Sequence, residues 1–153
     1  MWTHLPVLAW CIAQTTGLIV EFGSGDFSTP FLHFFAERGR SVVSYEEDGR
    51  WLVRYLHLFT GLHQGIRLPP DSVGHAAHAE VVLIDGSAES RGPILAMLAQ
   101  YPVRYIVVHD TQPGGIATHP GLEEALTLYT HRYDWTTLQP WTTVVSNVGA
   151  IDL

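Results

Sequence analysis

Short apolar runs, each followed by a polar or glycine-rich tip, recur along much of the chain. Four runs rich in β-branched and other large apolar side chains predict buried strands at residues 17–22, 41–45, 81–84 and 104–108. Two more runs, at residues 133–138 and 141–146, predict strands that are close enough in sequence to form an antiparallel hairpin through Gln139 and Pro140.

Helical patterns fill the segments between these strands. Thr29 followed by Pro30 is typical of a helix start, and Gly39 is typical of a helix end. The predicted helices cover residues 29–38, 49–60, 94–100 and 122–131. Residues 62–79 contain two prolines and three histidines, and they predict a loop with a short strand near Ile66.

Continuous apolar strands that alternate with helices are typical of a parallel sheet buried on both faces. The sequence therefore predicts an α/β fold of the Rossmann-like, doubly wound kind, with a mostly parallel sheet, helices on both faces and a C-terminal antiparallel hairpin. No repeat or charge block divides the chain, so residues 1–153 predict a single domain. Within it, residues 1–16 predict an apolar, helical N-terminal segment.

The composition excludes several classes of protein. The 153 residues are 46% hydrophobic and only 15% charged, which excludes a disordered chain. The formal net charge of −7 argues against a broad basic surface for nucleic acid. Every basic residue is an arginine, so a P-loop lysine and Schiff-base chemistry on lysine are excluded. Cys11 is the single cysteine, which leaves no intrachain disulfide and no multi-cysteine zinc site.

The N-terminal segment is apolar but predicts neither a membrane span nor a signal peptide. A span needs about 18 or more uninterrupted apolar residues, whereas His4 and Gln14 interrupt this segment. A signal peptide begins with a basic region, and no arginine precedes this segment. The sequence therefore predicts a soluble, cytoplasmic protein without membrane attachment. The apolar segment and the exposed edge of a minimal sheet are compatible with a homodimer.

Charged side chains follow consecutive strands of the predicted sheet at the point where each strand ends. Glu21 lies at the end of the first run, Glu46 after the second, Asp85 after the third, and His109 with Asp110 after the fourth. In doubly wound sheets, ligands bind beyond the carboxyl ends of the strands. A purely structural sheet does not require charged groups there, so these residues are candidates for a functional site.

A glycine loop follows the first strand and narrows the choice of ligand. Gly23 and Gly25 allow a ligand to approach the backbone, and the following helix start offers free N–H groups. The Gly-x-Gly pattern alone is also compatible with a dinucleotide such as NAD. However, Glu21 would repel a pyrophosphate and attract an ammonium group, and Glu46 can accept both hydroxyls of a ribose. A ligand with an ammonium group, a ribose and no phosphate is S-adenosylmethionine.

On these motifs, the sequence resembles the class I S-adenosylmethionine-dependent methyltransferases. The matching segments are VEFGSGDFST (residues 20–29), SYEED (44–48), VVLIDGS (81–87), YIVVHDT (105–111) and WTTVVSN (141–147). Their order and spacing carry the resemblance, which covers residues 17–147. It is closest to compact members that have an Asp-Gly-x-His signature after the fourth strand, although Ala88 stands in place of that histidine.

The resemblance implies a set of cofactor-binding residues, which are Glu21, Gly23, Ser24, Gly25, Ser28, Thr29, Glu46 and Asp85. Glu21 and the glycine loop would line the methionine and ribose end of S-adenosylmethionine. Ser28 and Thr29 would face its carboxylate, and Glu46 would hold the ribose hydroxyls. Asp85 would lie beside the sulfonium or the methyl acceptor.

The resemblance also implies catalytic roles for Asp85, His109 and Asp110. In metal-dependent O-methyltransferases, acids at these places bind a divalent cation, so Asp85 and Asp110 are candidate ligands for an ion such as Mg²⁺. The ion would lower the pKa of a bound hydroxyl. His109 is alternatively a general base, since its ordinary pKa of about 6.5 suits proton removal near neutrality. Thr111 stands where such metal sites usually have asparagine.

Together these residues predict an enzyme that transfers the methyl group of S-adenosylmethionine to an oxygen of a small molecule, in preference to a nitrogen. The alternative is a module that binds S-adenosylmethionine or S-adenosylhomocysteine without methylating anything. An NAD-binding domain is a third interpretation, against which Glu21 argues. The expected partner is a small-molecule acceptor, and neither nucleic acid nor a membrane is expected.

Overall fold

The computed structural model describes residues 2–67 and 73–153, which form a mixed sheet with helices around it. The strands are β1 (Ile19–Phe22), β2 (Val42–Glu46), β3 (His63–Arg67), β4 (Val81–Ile84), β5 (Tyr105–His109), β6 (His131–Trp135) and β7 (Thr142–Ser146). The helices are α1 (Leu5–Ala13), α2 (Ser28–Ala36), α3 (Gly49–Arg54), α4 (Ala88–Leu98), α5 (Pro113–Ile116) and α6 (Leu122–Leu126). Two short 3₁₀ helices, Leu56–Leu58 and Gly74–His78, lie between α3 and β4.

The seven strands lie in the order β3-β2-β1-β4-β5-β7-β6. Strands β1 to β5 pair in parallel, and β7 is antiparallel to both β5 and β6. The predicted Rossmann-like fold and its C-terminal antiparallel hairpin are therefore confirmed. The strand order reverses between β1 and β4, so the carboxyl ends of β1, β2 and β4 meet at the position where such sheets bind ligands.

Helices cover both faces of the sheet, which explains the continuous apolar strands. Val20 and Phe22 belong to the core cluster between the sheet and helices α4 and α6, whereas Ile19 belongs to the cluster between the sheet and helices α1 and α2. Complete burial of such a side chain contributes about 1.5–3 kcal/mol relative to exposure. A charged side chain on the same strands needs hydrogen-bonding partners in this interior.

The apolar N-terminal segment folds onto the sheet. Helix α1 buries Val7, Leu8, Cys11 and Ile12 in the cluster that it shares with α2. Burial raises the pKa of the Cys11 thiol to about 12, so the thiol stays protonated and unreactive. The buried side chains of α1 are not available to a partner chain, and a homodimer would need another surface. Among the described residues, no helix has the length and apolar character that a membrane crossing requires.

Three helices differ in extent from the predicted ones. Helix α3 stops at Arg54 instead of near residue 60. Helix α6 stops at Leu126, where the hydroxyl of Thr127 donates to the carbonyl of Glu124 at 2.6 Å and competes with the helical hydrogen bonds. Helix α4 begins at Ala88, well before the predicted start at residue 94. The sequence pattern misses this part of the helix because its first turn is polar and has no apolar period. The one-turn helix α5 is too short for periodicity to predict.

Strand β3 occupies His63–Arg67, within a segment for which the sequence predicts a loop and a short strand near Ile66. It lies at the edge of the sheet and pairs in parallel with β2. Its fully buried side chain is His63, so the apolar pattern does not mark the whole strand. The predicted loop also includes residues 68–72, which lie outside the described residues.

Candidate functional site

A tight turn at Gly23 brings the tips of β1, β2 and β4 together. Gly23 has a φ of +92°, a conformation that favours glycine. Its N–H donates to the carbonyl of Tyr45 at 2.8 Å, which links the tip of β1 to β2. A Cβ at this position would lie 2.5 Å from backbone atoms of Asp85 and Gly86, so only glycine fits against the tip of β4.

Glu46, the last residue of β2, presents a fixed carboxylate beside this turn. Its Oε2 accepts a hydrogen bond from the N–H of Ser24 at 2.8 Å, and its Oε1 accepts one from the N–H of Asp48 at 2.9 Å. Each carboxylate oxygen can accept a further hydrogen bond. Glu46 therefore combines a defined position with hydrogen-bonding capacity for a ligand.

A cleft opens between the tips of β1, β2 and β4. Its inner part has a volume of about 120 Å³, and its outer part has a volume of about 310 Å³. Small-molecule sites in proteins span about 300–1,000 Å³, so a ligand of that class fits here. The lining residues are Phe22, Gly23, Ser24, Tyr45, Glu46, Glu47, Asp48, Trp51, Asp85, Gly86, Ser87 and Ile94.

The structure brings part of the predicted cofactor site to this cleft. The predicted residues that line it are Gly23, Ser24, Glu46 and Asp85. The hydroxyl oxygen of Ser24 is buried and has no hydrogen-bonding partner among the described residues. Trp51 and Ser87 also line the cleft, although the sequence analysis assigns neither of them a role in binding.

Glu21 lies beneath the glycine loop and does not line the cleft. Its carboxylate is fully buried, and Oε2 accepts hydrogen bonds from the hydroxyls of Ser44 at 2.5 Å and Thr29 at 2.9 Å. Its Oε1 has no partner within the described part of the chain. Burial raises the pKa of Glu21 to about 7, although the hydroxyl hydrogen bonds act in the opposite direction. Glu21 therefore changes its charge close to neutral pH.

Thr29 connects Glu21 to the glycine loop. Its Oγ1 donates to Glu21 and accepts a hydrogen bond from the N–H of Gly25 at 2.9 Å. Thr29 and Ser28 occupy the first turn of α2, and both are buried. The buried carboxyl group, the threonine hydroxyl and the glycine N–H thus fix the shape of the loop from below.

A line of polar side chains continues from Glu21 beneath α2. Ser44 lies opposite Glu21 in the sheet register and gives its proton to it, so Nε2 of His63 donates to Ser44 at 2.9 Å. Burial lowers the pKa of His63 to about 4, aided by the neighbouring His33, and keeps the ring neutral. The sequence does not mark Ser44 or His63, because the contacts that define them cross three strands.

A second polar group lies at the tips of β4 and β5. Oδ1 of Asp85 accepts hydrogen bonds from Nδ1 of His109 and from Nη2 of Arg91, both at 3.0 Å. Within the described residues, Oδ2 of Asp85 makes no hydrogen bond and lies 4.0 Å from Nδ1 of His4. Burial acts to raise the pKa of Asp85, but the hydrogen bond from His109 and the nearby positive charges hold it below its usual range.

Arg91, in the first turn of α4, joins the two strand tips. Besides Asp85, its guanidinium donates to Oδ2 of Asp110 at 3.0 Å and to the carbonyls of His109 at 2.7 Å and Gly86 at 3.0 Å. The side chain is buried, and four hydrogen bonds hold it. The sequence does not mark Arg91, because a single arginine in a polar helical turn carries no periodic signal.

Both ring nitrogens of His109 are engaged within the fold. Nδ1 donates to Asp85, because an ionised carboxylate only accepts hydrogen bonds. Nε2 lies 2.9 Å from Oγ1 of Thr3, and this hydroxyl also lies 3.0 Å from the carbonyl oxygen of Pro140. His109 therefore supports the tip of β5 from within and does not line the cleft.

His4 completes the second polar group. Its ring packs edge-on against the ring of His109, with 4.6 Å between the ring centroids. Both of its nitrogens are buried without a hydrogen-bonding partner in the described chain. Burial lowers the pKa of His4 to about 4, so the ring is neutral. His4, Asp85 and His109 offer ligand atoms that lie within 4.8 Å of one another.

Solved structures of methyltransferases share this fold. The TehB-like S-adenosylmethionine-dependent methyltransferase of Corynebacterium glutamicum matches with a TM-score of 0.63 and 12% identity, over 95% of this chain and 86% of that one. The N-methyltransferase NodS of Bradyrhizobium japonicum matches with a TM-score of 0.65 and 8% identity, over 95% and 94% of the two chains. The fibrillarin pre-rRNA processing protein of Methanococcus jannaschii matches with a TM-score of 0.58 and 14% identity, over 87% and 67%.

These likenesses concern the fold. No protein-family model matches the sequence, and no curated protein matches it either. The predicted class I methyltransferase fold is confirmed, because the matches extend over 87–95% of this chain. The sequence identities are 8–14%, so the matches show the fold alone. The Asp-Gly-x-His signature is not shown, since Ala88 occupies the place of its histidine.

Proposed function

We propose that this chain binds S-adenosylmethionine in the cleft and transfers its methyl group to an oxygen of a small molecule, in preference to a nitrogen. The observation that carries the proposal is the carboxylate of Glu46, fixed at the tip of β2 beside the turn at Gly23. This position lies beside the reversal of strand order, where doubly wound sheets bind nucleotides. The methyltransferase names of several structural neighbours support the same proposal.

The residues of the cleft fit the adenosine part of S-adenosylmethionine. Glu46 retains acceptor capacity on both carboxylate oxygens, which suits the two hydroxyls of a ribose. Phe22, Tyr45 and Ile94 give the inner cleft an apolar lining, which suits a purine ring. Ser24 also lines the cleft, and its N–H holds the carboxylate of Glu46 in place.

The start of α2 suits the methionine end of the cofactor. Its first turn, which begins at Ser28, offers the positive end of the helix dipole to a carboxylate, although the N–H of Thr29 already donates to the carbonyl of Gly25 at 3.2 Å. Glu21 lies beneath the loop, so we assign it a positioning role instead of direct contact with the ammonium group. It acts through the hydroxyl of Thr29, which holds the N–H of Gly25.

Asp85 is the residue we assign to the methyl acceptor. Bound S-adenosylmethionine supplies a methyl group on a positively charged sulfur. Arg91 and His109 hold Oδ1 of Asp85, so Oδ2 is left to orient the hydroxyl of the acceptor and to take its proton. As the new oxygen–carbon bond forms, the sulfur–methyl bond would break, its electron pair would stay on sulfur, and neutral S-adenosylhomocysteine would leave. Orientation of two reactants in this way can lower a barrier by about 7–11 kcal/mol.

A module that binds S-adenosylmethionine or S-adenosylhomocysteine without methyl transfer is the second candidate. One observation favours it: Thr3 and His4 cover the tip of β5, and both ring nitrogens of His109 are hydrogen-bonded within the fold instead of facing an acceptor. Transfer of a labelled methyl group to a panel of small hydroxyl compounds, lost in Asp85→Asn while cofactor binding survives, supports the enzyme. Binding without transfer to any acceptor supports the module.

A small-molecule acceptor is also our proposal for the partner. The net charge of −7 opposes the approach of a polyanionic nucleic acid. One structural neighbour is named as a pre-rRNA processing protein, so the transfer assay includes an RNA as a control. A cytoplasmic location and a homodimer remain predictions.

Calorimetric titration with S-adenosylhomocysteine tests the proposed cofactor. We expect micromolar binding that Glu46→Ala weakens by at least about tenfold, or about 1.4 kcal/mol. Glu123→Ala, at an exposed position of α6, is the matched control and leaves the affinity unchanged. The proposal is wrong if the chain does not bind S-adenosylhomocysteine, or if it binds NAD more tightly.

A further inference from the structure

The two carboxylates that the methyltransferase resemblance assigns to a divalent cation are already bridged by a side chain. Nη2 of Arg91 lies 3.0 Å from Oδ1 of Asp85, and Nη1 lies 3.0 Å from Oδ2 of Asp110. The guanidinium therefore occupies the space between the acids at the tips of β4 and β5, where an ion bridging them would lie. The residues present do not fit Mg²⁺ in that position.

The guanidinium is built into this position and is not a mobile surface group. Arg91 is 6% exposed, and its other two hydrogen bonds go to the backbone carbonyls of Gly86 and His109. These carbonyls belong to the strand tips themselves, so the side chain cannot swing away without leaving both of them without this donor. The guanidinium is thus a planar set of donors fixed between the two strand tips.

The charge of Arg91 and the hydrogen bonds of His109 also oppose the binding of a divalent cation. A divalent cation at Asp85 would lie against a guanidinium, and like charges at such a distance in a partly buried site repel strongly. Nδ1 of His109 is hydrogen-bonded to Asp85 and Nε2 to Thr3, so an ion could bind His109 only by displacing one of these partners. Only His4 has free nitrogens among these side chains, and a single imidazole does not make a metal site.

We propose that Arg91 is a built-in cation that takes the place of the divalent ion and makes the site at the tips of β4 and β5 independent of metal. Arg91 acts as a positioning residue, because it holds Oδ1 of Asp85 and leaves Oδ2 for the cleft. This inference concerns the charge balance of the strand tips. It stands whether or not the chain transfers a methyl group.

Removal of the guanidinium should create the metal site that it prevents. Without Arg91, the remaining side chains are Asp85, Asp110, His109 and His4, which supply two carboxylates and two imidazoles. Such a donor set suits Mn²⁺, Co²⁺ or Zn²⁺ better than Mg²⁺. Arg91→Met keeps much of the length and apolar volume of the side chain, and Arg91→Gln is the second variant in case the first does not fold.

The test is titration with Co²⁺ and Mn²⁺, followed by calorimetry and, for Co²⁺, by visible absorption. We expect no saturable binding to the unsubstituted chain, and an affinity for Co²⁺ at least about tenfold higher, about 1.4 kcal/mol, in Arg91→Met or Arg91→Gln. The gain should disappear when Asp85→Asn is added. Stoichiometric micromolar binding of either ion to the unsubstituted chain, or the absence of any gain in the folded variants, overturns the proposal.

The same experiment separates this inference from the proposed function. Affinity for S-adenosylhomocysteine is measured in parallel, with and without EDTA, on the unsubstituted chain. Failure of S-adenosylhomocysteine binding would overturn the proposed function and leave the metal result intact. A metal-dependent affinity would instead overturn the role of Arg91.

Discussion

The strand tips on the two sides of the cleft contain similar charged groups but use them differently. At the tips of β1 and β2, both carboxylate oxygens of Glu46 keep unused hydrogen-bonding capacity beside the cleft. At the tips of β4 and β5, Oδ1 of Asp85 and Oδ2 of Asp110 accept from Arg91, and Nδ1 of His109 donates to the same oxygen of Asp85, so that Oδ2 of Asp85 is left over. The first group is therefore arranged for a ligand, whereas the second is arranged mainly for its own rigidity.

This difference separates binding from chemistry within one site. A ligand gains free energy from groups that are already positioned but not yet fully hydrogen-bonded. Groups that satisfy one another contribute mainly by holding a neighbour in place, as Arg91 does for Asp85. We therefore expect substitutions beneath the glycine loop to change cofactor affinity, and substitutions around Arg91 to change stability and metal selectivity.

The largest expected effect is at Gly23. Gly23→Ala should lower the free energy of unfolding by about 4 kcal/mol, because a Cβ would meet the backbone of Asp85 and Gly86 in addition to the strain of a positive φ. Gly39→Ala is the matched control: Gly39 has the same φ of +92° and no atom within 4 Å of its Cβ position, so about 1 kcal/mol is expected. Urea denaturation measures both, and equal losses would contradict the close approach of the strand tips.

The second prediction concerns the pH dependence caused by Glu21. Its pKa is raised from 4.5 to about 7 in the folded chain, so the stability that its neutral form provides is fully present below pH 4.5 and is lost as the pH rises through about 7. Relative to Glu21→Gln, the unsubstituted chain should lose up to roughly 3 kcal/mol between these limits. The lowered pKa values of His4 and His63 act in the opposite direction in acid, and they cancel in this comparison because both proteins share them.

Chemical denaturation at a series of pH values checks this prediction. Parallel stability curves for the unsubstituted chain and Glu21→Gln would show that Glu21 does not titrate differently in the folded and unfolded states. The buried carboxyl group of Glu21 would then no longer count as a support of the glycine loop.

Thr29→Val should produce a smaller effect, on both stability and binding. The substitution removes a donor to Glu21 and the acceptor for the N–H of Gly25, which costs about 1–3 kcal/mol. Because the loop then loses its support, affinity for S-adenosylhomocysteine should fall as well. Thr29→Ser keeps the hydroxyl and should retain most of both properties. Calorimetry and urea denaturation provide the two readouts.

The smallest effect is expected at Thr3, in the second group. Thr3→Val removes the hydroxyl that is hydrogen-bonded to Nε2 of His109 and should lower the free energy of unfolding by about 1 kcal/mol. Affinity for S-adenosylhomocysteine should not change, because Thr3 supports the tip of β5 and does not line the cleft. A loss of affinity as large as that caused by Thr29→Val would show that the side chains at the tips of β4 and β5 affect cofactor binding as much as those at the tips of β1 and β2.

The fold and the residues that line the cleft at the tips of β1, β2 and β4 could be predicted from local sequence. Apolar runs that end in charged tips identify the strands, and this placed Glu46 and Asp85 at one edge of the sheet. The glycine loop likewise marked Gly23. In each case the informative neighbours lie within a few residues along the chain.

The group of side chains at the tips of β4 and β5 depends on contacts between residues that are far apart in sequence, and no local pattern predicts such contacts. Thr3 contacts His109 across 106 residues of sequence, and Arg91 joins strand tips that are brought together only by the parallel pairing of β4 and β5. His63 is buried on an edge strand that lacks an apolar pattern. Residue types alone made His109 a candidate base, but the fold hydrogen-bonds both of its ring nitrogens, one to Asp85 and one to Thr3.

A crystal structure of the chain grown with S-adenosylhomocysteine tests the central claim most directly. We predict that the ligand lies in the cleft at the tips of β1, β2 and β4, with both ribose hydroxyls on the carboxylate of Glu46 and with Arg91 still between Asp85 and Asp110. A ligand bound elsewhere, or a ribose without contact to Glu46, would contradict the assignment of this cleft as the cofactor site.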